Sequence, residues 1–599
     1  MKKVAKFLSV VFALCMACSL CACGGGGSGD NVKIAFVYEA DPVLNKTMYE
    51  LVKKYNDTQG VTDKVSVDPK LRMGVGDEPT TYTGTCEFAV ALTSEKNFKN
   101  IALDGLFSDL TDRAEEDSYD ISAFPTGFLN SARLTVKQGE KSIAGEGQRL
   151  LAMPFGADPH VLFYNKKQFE NEGINIISAT EEELANNASY ASVEPHGYAE
   201  YKNKPYEGAN SSQNLAGETV YKVFNNRIAM NWEELRYLSK VFTREYNGKK
   251  SGSTWGYSNE WWFPYAWSVG SDCIGWDGEK YRFTLMDEAS NWLVTKQTTI
   301  NGKSYSAGEI VTYEDKTKEQ NIENVEGLHK LPSQRDALTQ FLSQNIPTSG
   351  SVATGWGTSP FDQDIEGHFT AQEVAMAVGG YAGGVVVYNR SKTLDYDVAP
   401  LARYREFEGG SVYYSDSANK TFANEYLKVI GEKYSGDTKS ESGTVYTGKQ
   451  LYENNTAIVG AQDVTCGMKY LVLPTNCDSS QKDAAWSFIK WACGEEGQKI
   501  LAKASIFVPA NKAAYSDFEK DSTKNLWAAT NAAAHGDIPD WAYFENGEWV
   551  TAWSTSFNGE LRKGAISIKT FMDNKGEAAE SACNNTSIVI RGRDKRWNA

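Results

Sequence analysis

Val32-Lys33-Ile34-Ala35-Phe36-Val37-Tyr38 is a short run dominated by β-formers, and it reads as a buried strand. The loop Glu39-Ala40-Asp41-Pro42 follows. Beyond it, Met48, Leu51, Val52 and Tyr55 recur at i, i+3, i+4 and i+7, the spacing of one helical face. Gly60 is expected to stop that helix, and Val65 and Val67 to open a second strand. A β-α-β order implies a parallel sheet covered by helices, so the expected class is α/β. Phe88-Ala89-Val90-Ala91-Leu92 continues the pattern, and Leu103 to Thr111 reads as a helix end with a glycine stop at Gly105.

Working back from this opening, Lys2 and Lys3 precede an apolar or small stretch, Val4 to Leu20. The stretch is too short and too rich in Cys and Ala for a comfortable membrane span. A basic start, an apolar run and small residues before a cut site mark an export signal. Leu20-Cys21-Ala22-Cys23 resembles the lipobox of bacterial lipoproteins, which implies acylation of Cys23 after removal of residues 1–22. Gly24-Gly25-Gly26-Gly27-Ser28-Gly29-Asp30 is a flexible tether, spanning at most roughly 25 Å from Cys23 to Asp30. The expected location is extracytoplasmic, lipid-anchored to the outer face of the cell membrane.

A chain of 599 residues is long enough for two or more domains. Its 15 Trp, 31 Tyr and 26 Phe indicate a folded protein. A net charge of −16 argues against nucleic acid or anionic lipid as a partner. No later stretch approaches the roughly twenty apolar residues of a transmembrane helix. Cys86, Cys273, Cys466, Cys477, Cys493 and Cys583 form no CxxC pair, so a zinc site is not expected. These six cysteines are compatible with several disulfide patterns or with free thiols, and Cys466 with Cys477 is the first pair to check. The chain lacks His-Glu-x-x-His, Gly-x-Ser-x-Gly and a Walker loop. No catalytic role, cofactor or metal carried by those motifs is therefore expected, while the 77 Asp and Glu leave the paired carboxylates of a glycosidase open.

Farther along, Asn231-Trp232-Glu233-Glu234 starts a helix with a capping-box-like pattern, and Leu235, Leu238, Val241 and Phe242 form its apolar face. Trp292 to about Tyr313 reads as strands around Asn301-Gly302, a hairpin signal. Together with the Tyr/Asn/Gly/Ser-rich segment from Asn186 to Asn226, it looks like decoration on a core. Ala484, Ala485, Phe488, Ile489 and Ala492 mark a strongly periodic helix, with Asp478 and Ser479 as candidate caps.

The segment Met153-Pro154-Phe155-Gly156-Ala157-Asp158-Pro159-His160-Val161-Leu162-Phe163-Tyr164-Asn165-Lys166-Lys167-Gln168-Phe169 is similar to the crossing strand of family 1 extracellular solute-binding proteins. These are the capture subunits of ABC importers and include maltose-binding protein. Further resemblances follow in the family's order. They are Gly105 to Thr111, Trp232-Glu233-Glu234-Leu235, Phe369 to Met376, Asp397 to Leu401, Ala484 to Trp491, and Phe507-Val508-Pro509-Ala510. They cover most of residues 31–515. Phe369 to Met376 lacks the family's usual Gly, and the chain is larger than usual.

The resemblance implies a two-lobe α/β fold with a hinge and an interlobe cleft. Lobe one would take residues 31–155 and 470–512. Lobe two would take 157–466 and 513–599, with insertions near 177–227 and 295–330. It also implies a monomeric, non-enzymatic receptor that closes on a small-molecule ligand and delivers it to ABC permease subunits. In open α/β sheets ligands sit beyond the carboxyl ends of strands, so Tyr38, Asp41, Asp158 and His160 are candidate contacts. For Asp41 loop capping is equally open, and for Asp158 and His160 a structural hydrogen bond is.

The cluster Trp261-Trp262-Phe263-Pro264-Tyr265-Ala266-Trp267 stands where the family carries ligand contacts, and Trp356 and Tyr381 are further candidates. Flat rings suit the apolar faces of pyranoses while carboxylates and amides take the hydroxyls, although any one of these rings is equally a core residue. Gly379-Gly380 and Gly383-Gly384 flank Tyr381 and would allow close backbone approach. A carbohydrate, an oligosaccharide in particular, is the expected ligand. A peptide or other polar solute, a surface glycan-active enzyme and a signalling receptor are the competing readings.

Overall fold

The computed structural model describes residues 31–135, 141–180, most of 223–345, 358–406, 465–535 and 548–593, apart from short gaps, with a few isolated strand segments elsewhere. The signal segment, Cys23, the tether, most of the 186–226 decoration, Trp261, Cys273 and Trp356 lie outside the described residues, as do the side chains of Trp267 and Cys466.

Among the described residues the main sheet has nine strands. They are β1 (Val32–Tyr38), β2 (Val65–Leu71), β3 (Val90–Ser94), β4 (Met153–Asn165), β5 (Trp255–Ser258), β6 (Val374–Gly380), β7 (Tyr396–Ala399), β8 (Thr465–Val472) and β9 (Val508–Pro509). The order is β5-β6-β4-β8-β3-β1-β2, with β7 and β9 also paired to β4.

The β-α-β opening forms as its pattern predicts. β1 pairs in parallel with β2 from Val32↔Val65 to Tyr38↔Leu71, and with β3 at Phe36↔Val90 and Val37↔Ala91. Helix α1 (Pro42–Asp57) covers this sheet. Its Met48, Leu51, Val52 and Tyr55 are buried, each worth roughly 1.5–3 kcal/mol relative to exposure. Gly60 does not end α1. It lies inside a short second helix, Gln59–Asp63, and the stop is Lys64, which takes the left-handed conformation at φ 56°. A Cβ on Gly60 would meet the Val65 carbonyl oxygen at 2.7 Å, so the glycine serves close packing.

β4 is the structural axis. Its 13 residues pair with strands from widely separated parts of the chain. Met153 to Pro159 run antiparallel to β8, and Gly156 and Ala157 also meet β9. His160 to Tyr164 pair with β6, and Leu162 to Asn165 with β7. The strand is buried on both faces except at Asp158 and His160. Beyond that point alternate side chains separate, as a period of two requires. Val161 and Phe163 join one apolar core, Leu162 and Tyr164 the other.

The first core gathers β1, α1, β3 and the helix Lys482–Cys493, where Tyr55 meets Phe488 edge-on at 5.1 Å. Asp478 caps the short turn before that helix, accepting from the Ser480 N–H at 2.9 Å. The second core packs helix α2 (Trp232–Phe242), helix α3 (Phe263–Ser268) and the long helix Ile568–Arg593 around Tyr164, Phe169 and Trp262. The Asn301-Gly302 hairpin is present. Thr298–Ile300 pairs antiparallel with Lys303–Tyr305, and both turn residues have positive φ, 50° and 82°. Nearby Trp292, Val294, Ile300, Val311 and Ile322 form a small core of their own.

Candidate functional site

Where β4 passes from one set of partners to the other, a cavity of about 390 Å³ opens. Glu95, just past the carboxyl end of β3, forms part of its wall. Asp158 and His160 come from β4, and Val378 to Gly380 from the carboxyl end of β6. Helix α4 (Ile365–Thr370) adds Ile365 and Glu366 together with its N-cap Asp364, and Gly467 comes from β8. Helix α5 (Tyr381–Tyr388) contributes Gly383, Gly384 and Tyr388. A cavity beyond the carboxyl ends of two strands matches the general placement of ligands in α/β sheets.

Asp158 is held in a glycine cradle. Its Oδ1 accepts the Ala382 N–H at 2.6 Å, at the start of α5, whose own N-cap Gly380 offers no side chain. A Cβ on Gly380 would stand 2.9 Å from the Asp158 carboxylate oxygens, and one on Gly467 would stand 2.7 Å from Asp158 Cβ. The Gly379-Gly380 and Gly383-Gly384 pairs line the cavity, and Gly384 also makes room for the Phe163 ring. Burial pushes the Asp158 carboxyl up to about 6, against the opposing pull of the Ala382 N–H, Lys469 and the Gly383 N–H. Burial lowers His160 to about 4, so its ring is neutral at pH 7. Its Nδ1 is buried without a hydrogen-bond partner.

The other carboxylates are partly committed. Glu95 Oε2 accepts the Met468 N–H at 2.6 Å, and the Glu95 N–H donates to the Met468 carbonyl at 3.0 Å. Asp364 Oδ1 accepts the Gly367 N–H at 3.0 Å. The described wall thus holds four carboxylates and no Lys or Arg. Such a wall accepts hydrogen bonds from hydroxyls or amines and repels anions. Among the described residues, no group of three or more His, Cys, Asp or Glu is placed to hold a metal ion.

The structure brings Asp158 and His160 together here and places the other described candidates elsewhere. Asp41 Oδ1 accepts the Leu44 N–H at 2.9 Å and caps α1. Tyr38 is buried beside Phe36, ring centroids 5.5 Å apart. Trp262 is 0% exposed and packs on Phe263 and Phe557 in the second core. Tyr381 is 1% exposed, and its hydroxyl donates to the Ser505 carbonyl at 3.1 Å. Trp267 lies on α3. The sequence reading did not single out Glu95, Asp364, Glu366 or Gly467. The only local signal among them was the Asp364 helix cap, which does not itself indicate a ligand.

The profile of the bacterial extracellular solute-binding protein family matches residues 50–534. The chain belongs to this family. Family and fold are those of binding proteins, and a small-molecule ligand follows from membership. Among curated proteins none is a significant match.

Among solved structures, the sugar-binding protein MalE from Xanthomonas citri is 10% identical, with a TM-score of 0.51. It covers 94% of this chain and 99% of its own. This likeness shows that the solute-binding protein has the two-lobe α/β fold. The ABC substrate-binding protein Lmo0181 from Listeria monocytogenes, in complex with cycloalternan, is 15% identical over 92% of this chain and 99% of its own, with a TM-score of 0.48. UgpB from Mycobacterium tuberculosis, in complex with glycerophosphocholine, is 13% identical over 93% and 100%, also at 0.48. Among the described residues no helix is long and apolar enough to cross a membrane.

Proposed function

We propose that this solute-binding protein is the lipid-anchored, extracytoplasmic capture subunit of an ABC importer, and that it carries a carbohydrate, an oligosaccharide in particular, to the permease. The observation that carries the ligand class is the acceptor-rich cavity on β4, with four carboxylates and no cationic side chain in its described wall. Sugar hydroxyls are donors suited to such a wall, while phosphorylated or carboxylated solutes would meet repulsion. The sugar-binding name of the Xanthomonas citri structure supports the same direction.

In this reading lobe one takes residues 31–155 and 470–512, and lobe two takes 157–466 and 513–599. Asp158 and His160 sit at the crossing, and closure of the lobes over the ligand is the signal the permease reads. Trp261, Trp267 and Trp356 are proposed as stacking faces, and Cys23 as the acylated residue that fixes a monomeric receptor to the membrane.

A thermal-shift screen of residues 24–599 against neutral oligosaccharides, sugar phosphates, peptides and amino acids tests the ligand class. A ligand at 100 times its Kd stabilises by about 2.7 kcal/mol. Stabilisation by neutral sugars, with the sugar recovered intact, supports the proposal. Stabilisation by peptides alone transfers the ligand class to the peptide reading, and recovery of cleaved sugar would make the protein a glycan-active enzyme. Fatty-acid labelling of the full chain, lost in C23A, tests the anchor.

A further inference from the structure

Two cysteines from distant parts of the chain flank one amide. Cys86 lies just beyond the turn Pro79–Tyr82, and Cys477 directly follows Asn476. The Asn476 carboxamide nitrogen donates to the Tyr82 carbonyl at 2.9 Å and to the Gly84 carbonyl. The Cys86 thiol lies beside this side chain. Asn476 therefore fastens the segment after β8 to the segment before β3, with one cysteine on each.

Contacts that use neither thiol hold this seam in place. The Ser108 N–H donates to the Leu473 carbonyl at 2.8 Å and the Thr475 N–H to the Leu106 carbonyl at 2.9 Å. Phe107 and Pro474 form a β-bridge, and the Tyr82 ring meets Phe107 edge-on at 4.9 Å. Both cysteines abut the first apolar core. Cys477 is buried within it, and Cys86 is half-buried against it. Burial raises both thiols, and the neighbouring Cys477 adds to the effect on Cys86. Arg72 beside Cys86, and Lys482 and Arg113 beside Cys477, oppose it. Cys493 and Cys583 differ, being fully buried within helices of the first and second core respectively.

We propose that Cys86 and Cys477 are a redox pair that closes to a disulfide when the protein meets a disulfide oxidant. The Cys86 thiolate attacks one sulfur of the oxidant and expels the other as a thiolate. Cys477, on losing its proton, attacks the Cys86 sulfur of the mixed disulfide and expels the second oxidant sulfur. Two electrons and the two thiol protons pass to the oxidant, which leaves as two thiols. The product links the segment before β3 to the segment after β8. The inference does not depend on the ligand or on the lipid anchor.

The test uses the folded full-length protein. It is incubated with oxidised glutathione, blocked with N-ethylmaleimide and digested without reduction. Mass spectrometry should find the Cys86 and Cys477 peptides joined, two hydrogens lighter than their sum and separated by dithiothreitol. The oxidised protein should also melt at a higher temperature than the reduced one, and C86S should lose both the link and that rise. Separate maleimide or glutathione adducts on Cys86 and Cys477 with no joined peptide would overturn the proposal. So would a Cys466–Cys477 link, or an unchanged melting rise in C86S.

Discussion

The Asp158 carboxylate caps the helix that begins at Tyr381, accepting the Ala382 N–H at 2.6 Å. A group on the strand common to both sets of sheet partners thereby fixes the helix that forms one wall of the cavity. The contact is built by subtraction, since Gly380 and Gly467 leave the space that Asp158 occupies.

Asp158 titration should leave a signature in stability. Burial raises its carboxyl to about 6, so between the unfolded value near 4 and that point the folded state keeps a proton the unfolded chain has released. Its stabilising contribution is complete below pH ~4 and is lost as pH rises through about 6. D158N keeps an oxygen for the Ala382 N–H and cannot ionise. Relative to wild type it should gain up to about 3 kcal/mol between pH 4 and pH 7, read by urea denaturation at both values. A difference that does not change with pH would refute this.

His160 acts with the opposite sign. Burial lowers it to about 4, so its contribution is present above the unfolded value near 6.5 and is lost as pH falls through about 4. H160Q should flatten the acid limb of the stability curve. An unaltered acid limb would show that the ring is not kept neutral by the fold.

Gly380 and Asp158 should be energetically coupled. G380A drives a methyl toward the carboxylate oxygens and is expected to cost about 1–3 kcal/mol. In a D158A background those oxygens are gone, and most of the cost should disappear. Additive losses in the double mutant would place the strain elsewhere.

Asp41 and Trp262 should behave as structural residues. D41A removes a cap from α1 and should cost about 1 kcal/mol in chemical denaturation. W262A empties a fully buried ring site and should cost about 3–5 kcal/mol. A stability change near zero for W262A would mean that the ring is not in the core.

Much of the scaffold was legible because its signals are local. The run of β-formers in Val32–Tyr38, the helical spacing of Met48 to Tyr55, the Asn301-Gly302 turn and the periodic helix at 482–493 each lie within one short window. Asp41 carried a capping signal that its sequence could not separate from ligand contact, and the 2.9 Å bond from the Leu44 N–H shows the cap. The cavity was legible only at Asp158 and His160. Glu95, Glu366 and Gly467 reach it from segments a hundred or more residues apart, and no local pattern marks such convergence. Aromatic density was ambiguous for another reason. A ring suited to stacking on a sugar is equally suited to filling a core, and Trp262 and Tyr381 fill cores.

The sheet order carries a consequence for how the molecule is made. β8 lies between β3 and β4 yet is synthesised only after both, with the whole of β5, β6 and β7 in between. Until it arrives, the facing edges of β3 and β4 have no hydrogen-bonding partner of their own. Closing that gap demands contacts of very high sequence separation, which fold slowly and leave sticky edges open meanwhile. The nascent chain therefore depends on protection from aggregation until β8 has emerged, and a truncation anywhere before β8 should give aggregates rather than a stable half-protein.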